Sequence, residues 1–148
     1  MLRVFILLLS LGGLADALYF TLAYYGRIRK ARWVPEIFCA REHSSCVTVV
    51  RTPYARVFGV PNSLLGIVYY VLLIVWIVFV PRYVNVSGHV MKPFDTLGLL
   101  LLGASLASVV LGFYLIYALR RVLHTDCPLC YAAHAINIIL FVLLIFVS

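Results

Sequence analysis

The chain has 148 residues, of which 65% are hydrophobic and only 11% charged, and its mean hydropathy is +1.09. An ordinary soluble domain is about half apolar and roughly a quarter charged, so this composition excludes one: the excess apolar side chain must face lipid. The net charge of +7 comes with no compact basic domain or recognition motif, which points to membrane topology and anionic headgroups rather than to nucleic acid.

Four apolar runs follow one another along the chain: Val4 to Tyr25, Asn62 to Val80, Phe94 to Leu119 and Pro128 to Val147. Each has about 19 residues or more, enough to cross ~30 Å of hydrocarbon as a helix rising 1.5 Å per residue. Helices are expected because lipid offers no partner to open backbone groups. The first run, with Arg3 before it and Ala15-Asp16-Ala17 inside it, imitates a cleavable signal peptide. Its apolar pattern continues to Tyr25, however, so it is read as a retained span. In the third run Ala104, Ser108 and Gly112 recur every four residues, a small-residue stripe that permits close helix contact. The expectation is an all-α integral membrane protein over residues 1–148: a four-transmembrane-helix bundle forming one domain, with a long cysteine-bearing loop between helices 1 and 2.

Four spans put both termini and the second loop on one side of the membrane, with the first and third loops on the other. The first side carries Arg3, Arg82 and Lys92, and the second carries the remaining nine basic residues. Short cytoplasmic loops are enriched in Lys and Arg, so the count puts the termini outside and the first loop inside the cell. All four cysteines then face the cytoplasm, where thiols are ordinarily reduced outside hyperthermophiles.

Those cysteines form two pairs, Cys39 with Cys46 and Cys127 with Cys130. Three chemistries suit them: inert structural disulfides, a four-thiolate zinc site, or a dithiol relay. Pro128 belongs naturally in a first helical turn, so the C-x-x-C opens the last helix. The dipole and free N–H groups there stabilise a thiolate. That placement favours the relay over zinc, and no metal is expected. At about 100° per residue, Cys127, Cys130, His134 and Asn137 share a wedge of roughly 80° on that helix. Polar groups inside a bilayer are costly and mark functional cavities, although Asn137 serves equally well as packing glue. Asn62, just after Pro61, is as suited to capping its helix as to function. If it meets His134 across a pocket at the lipid edge, the pocket suits a hydrophobic carbonyl compound, a quinone. Asp16, inside the first span, is assigned to structural hydrogen bonding with a neighbour such as Tyr19, and His43 and His124 to solvated loops.

The sequence resembles the vitamin K epoxide reductase family over most of its length. The resemblance rests on the loop pair Cys39 and Cys46, the stretch "RTPYARVFGVPNSLLG", and "CPLCYAAHAIN" opening the last helix. Thr52, six residues after Cys46, matches the family's Ser or Thr and is given a supporting role. The disulfide bond protein B type is similar in logic but has its C-x-x-C after the first helix. The resemblance implies that Cys127 and Cys130 form the active-site disulfide, with Cys130 nearest the quinone. It implies too that Cys46 exchanges with Cys127, that Cys39 meets a thioredoxin-like partner, and that Asn62 bonds a quinone carbonyl. His134 stands where vertebrate members have a Tyr that bonds the other carbonyl, and an imidazole N–H can also donate. His134 is further expected to supply a proton to the reduced carbonyl. The function implied is a membrane thiol–quinone oxidoreductase that supports protein disulfide formation, with a menaquinone, a ubiquinone or vitamin K as acceptor. The alternatives are a non-enzymatic zinc-binding membrane protein and a family member that acts mainly on vitamin K epoxide.

Overall fold

The computed structural model describes residues 1–27, 45–79, 84–86, 89–91 and 96–147. Four helices among them are long and apolar enough to cross a membrane. They are α1 (Leu2–Tyr24), α3 (Asn62–Phe79), α4 (Thr96–Tyr117) and α5 (Pro128–Val147), with a short α2 (Ser45–Val50) on the stretch that follows α1. The expected four-helix membrane architecture is the one observed.

Helix ends are set by local chemistry. At the end of α1, Gly26 takes φ 66°, the left-handed conformation open to glycine. Its N–H donates to the Ala23 carbonyl, and that of Arg27 to the Leu22 carbonyl at 2.9 Å, the paired bonds of a Schellman ending. Helix α4 runs beyond the expected Leu119 because π-type turns over Ala118–Val122 prolong it. Leu123 N–H donates to the Ala118 carbonyl at 2.9 Å, and His124 then takes φ 47° and turns the chain toward α5. Between α2 and α3, a hairpin pairs β1 (Arg56–Val57) with β2 (Val60–Pro61). Phe58 and Gly59 at its tip both have positive φ, the twist that two-residue hairpins require. A second hairpin pairs β3 (Val84–Val86) with β4 (His89–Met91), between α3 and α4.

Helix α1 packs on α3 and α5, and α5 packs on α4, while α3 and α4 meet more sparsely. The far half of the bundle, toward the start of α1 and the end of α5, is filled by Ile6, Leu73, Leu101, Leu140 and Leu144, each buried. In the near half a second cluster joins Phe20, Val49, Val50 and Leu119 to Cys127 and Cys130. Leu8, Val68, Leu100 and Phe146 are exposed on the outer faces, where lipid replaces water as the solvent.

Candidate active site

Helix α5 begins as its sequence demands. The Cys127 carbonyl accepts from the Tyr131 N–H at 3.2 Å, so Cys127 stands at the N-cap with Pro128 in the first helical position. The Cys130 N–H donates to Cys127 Sγ at 3.3 Å, the bond a serine or threonine hydroxyl makes in an ordinary N-cap. Cys127 and Cys130 are joined as a disulfide, with Cα atoms 5.2 Å apart. Outside this turn, Tyr131 donates to Asp126 at 3.3 Å and accepts from Arg120, whose guanidinium lies over the Tyr131 ring.

A cavity of about 330 Å³ opens beside the disulfide, at the low end of the range for small-molecule sites. The two sulfur-bearing residues divide between it and the protein interior. Cys130 lines the cavity, whereas Cys127 has no exposed surface and is not on the cavity wall; both pack with Val49, Val50, Phe20 and Leu119. Of the stripe expected on α5, Cys130, His134 and Asn137 are therefore on the cavity wall.

Each wall contributes at helical spacing. Asn62, Gly66 and Tyr70 recur every four residues along α3, and all three line the cavity. The α4 wall carries Ala104 and Ser108, so most of the stripe expected to mediate close helix contact instead bounds open space. Only Gly112 makes the close approach: a methyl group added there would stand 2.8 Å from His134 Nδ1. That nitrogen is buried and has no hydrogen-bond partner among the described residues.

Helices α1 and α3 are held in register around this space. Thr21 Oγ1 bonds Ser63 Oγ at 3.0 Å, Ala17 meets Gly66, and the Tyr70 ring occupies the place where any side chain on Gly13 would go. The Tyr70 hydroxyl donates to Asn137 Oδ1 at 2.7 Å and ties α3 to α5. Asn137 thus serves as packing glue and also faces the cavity. Asp16 lies between the Gly66 and Tyr70 levels and lines the cavity as well.

Asn62 and His134 thus line one cavity, although no hydrogen bond joins them. Thr52 donates to the Val49 carbonyl at 2.7 Å and closes the end of α2, the helix whose Val49 and Val50 pack on Cys127. Cys46 is the second residue of α2; its side chain, like all of Cys39 and His43, lies outside the described residues. Tyr70 was not singled out in the sequence, although its spacing from Asn62 was readable.

The vitamin K epoxide reductase family model matches residues 4–145. The chain belongs to that family. No individually curated protein matches it. Family membership makes the chain a membrane redox enzyme, and vitamin K epoxide reductase family members use quinones as electron acceptors. In this family member, a disulfide stands at the head of α5 with a cavity beside it.

Proposed function

We propose that this membrane domain oxidises a thioredoxin-like partner and passes the electrons to a quinone, so supporting disulfide formation in other proteins. The partner's thiolate attacks the Cys39–Cys46 disulfide, and the reduced loop pair then exchanges with Cys127–Cys130 through a mixed disulfide between Cys46 and Cys127. The resulting Cys127 and Cys130 thiols give two electrons and two protons to the quinone. Their S–S bond re-forms, and both quinone carbonyls become hydroxyls. Asn62 donates to the carbonyl nearer the cysteines and His134 to the farther one. Thr52 supports the loop dithiol by fixing the end of α2.

The observation that carries this reading is the division of the C-x-x-C pair. Cys130 faces a cavity with apolar walls and a few polar groups, as a quinone head requires. Cys127 lies off the cavity wall and packs with Val49 and Val50 of α2, the helix that carries Cys46. Exchange needs a sulfur within reach of each reactant; in this reading Cys130 serves the quinone, and Cys127, which has no exposed surface, serves Cys46 on the helix packed against it. The basic-loop count orients the thiol-bearing end toward the cytoplasm. Labelling of Cys39 or Cys46 in intact reduced cells by a membrane-impermeant thiol reagent would reverse that orientation.

The test is quinol formation by the reduced protein in lipid nanodiscs. Wild type should convert a short-tailed quinone with loss of two thiols per quinol, and Cys130→Ala should lower the rate to that of protein-free discs. A Cys130→Ala protein that still forms quinol at the wild-type rate would refute the assignment.

A further inference from the structure

The polar groups around the cavity are not all used by this scheme. Asp16 lines it from α1 at a level bracketed by two contacts: Ala17 against Gly66 above and Gly13 against Tyr70 below. On α5, His134 comes one turn after Cys130, and Asn137 follows at the level of Tyr70, to which it is bonded. Asp16 and His134 therefore face the same stretch of cavity from different walls, about one helical turn beyond Cys130. A quinone whose near carbonyl lies by Cys130 and Asn62 places its far carbonyl between them.

His134 is poorly built to supply a proton there. Its Nδ1 is sealed against Gly112, and no acceptor stands beside it among the described residues. A ring with one N–H can donate a hydrogen bond, but releasing that proton would leave an imidazolate. A carboxyl group has no such difficulty, and a polar residue kept at this depth in a membrane helix calls for a use.

Resting on the quinone reading above, we infer that Asp16 is a catalytic acid of the reaction: it delivers the proton to the far oxygen while His134 holds that oxygen by a hydrogen bond. As the electron pair arrives from Cys130, Asp16 gives its proton to the oxygen and is left as a carboxylate. The two thiols release two protons as their disulfide forms. One goes to the near oxygen and the other restores Asp16 through water, so dithiol plus quinone becomes disulfide plus quinol with nothing left over. The other titratable side chains near Asp16 are Tyr19 on its own helix, Tyr69 and Tyr70 on α3, and Cys130 and His134 on α5; α4 contributes none to the wall.

The experiment measures single-turnover quinol formation in nanodiscs for wild type, Asp16→Asn, Asp16→Glu and Cys130→Ala, across pH and across quinone concentration. Reduction of the Cys127–Cys130 disulfide by dithiothreitol is followed separately. Asp16→Asn should slow quinol formation at saturating quinone by about 100-fold, the size of a general-acid contribution, and leave quinone affinity within about threefold. It should leave disulfide reduction unchanged. The wild-type rate should fall at high pH as the acid is lost; Asp16→Asn should lack that descending limb, and Asp16→Glu should restore it. A rate for Asp16→Asn within about threefold of wild type would overturn the inference. So would a loss explained by weaker quinone binding, or one that Asp16→Glu shares in full. Should wild type form no quinol, or Cys130→Ala form it normally, the quinone reading itself falls, and Asp16 with it.

Discussion

The two halves of this bundle are built from the same four helices, yet one is hollow and the other is filled. Near the cysteines, the positions that face inward are Gly66 and Asn62 on α3, Ala104 and Ser108 on α4, and Ala133 and His134 on α5. One to three turns farther on, the inward positions become Leu73, Leu101, Leu140 and Leu144, all at most 3% exposed, with Trp76 beside them. Between membrane helices no hydrophobic force brings the walls together, so association depends on van der Waals fit and on hydrogen bonds. Large aliphatic side chains supply that fit in the far half. In the near half, the Thr21–Ser63 and Tyr70–Asn137 bonds hold the helices at a fixed spacing while small residues leave room between them. Close packing and open space are thereby assigned to different ends of the same helices.

That division can be tested by one substitution on each side of it. Leu140→Ala, in the filled half, should have the largest effect on stability, costing about 2–5 kcal/mol because a fully buried side chain leaves a cavity. Its quinol-forming rate per folded molecule should stay near wild type, as thermal unfolding and turnover in the same nanodiscs would reveal. Gly112→Ala, in the hollow half, should behave in the opposite way. The added methyl displaces the imidazole of His134, so quinone affinity should drop about tenfold, or about 1.4 kcal/mol, measured by titrating quinone against the turnover rate. The melting temperature should change less than for Leu140→Ala. Equal losses of stability and affinity in both variants would erase the distinction.

Much of the fold was legible because each span is long and apolar, the first of them long enough to outlast its likeness to a signal peptide. The membrane class, the four spans and the opening of the last helix at Pro128 all follow from run length and one proline. The shape of the space between the helices was not legible. Ala104, Ser108 and Gly112 form a small-residue stripe that suits close contact equally well, and only the arrangement of all four helices shows that Gly112 touches His134 while the other two border a cavity. Asp16 illustrates the same limit. Its cost in a bilayer marked it as unusual, but a single helix cannot say whether a side chain meets Tyr19 or a shared pocket. Tyr70 lay in plain view, two turns from Asn62 on one face, and was masked by the apolar run around it.

The central claim is that the two sulfurs of one C-x-x-C face different reactants, Cys130 the membrane cavity and Cys127 the loop. The most direct measurement is to reduce the protein in nanodiscs, expose it briefly to a thiol-reactive maleimide on a long acyl chain that partitions into lipid, and map the adduct by mass spectrometry. The account predicts an adduct on Cys130, slowed when quinone is present, and none on Cys127. An adduct on Cys127 instead, or labelling of Cys130 that quinone does not slow, would contradict it.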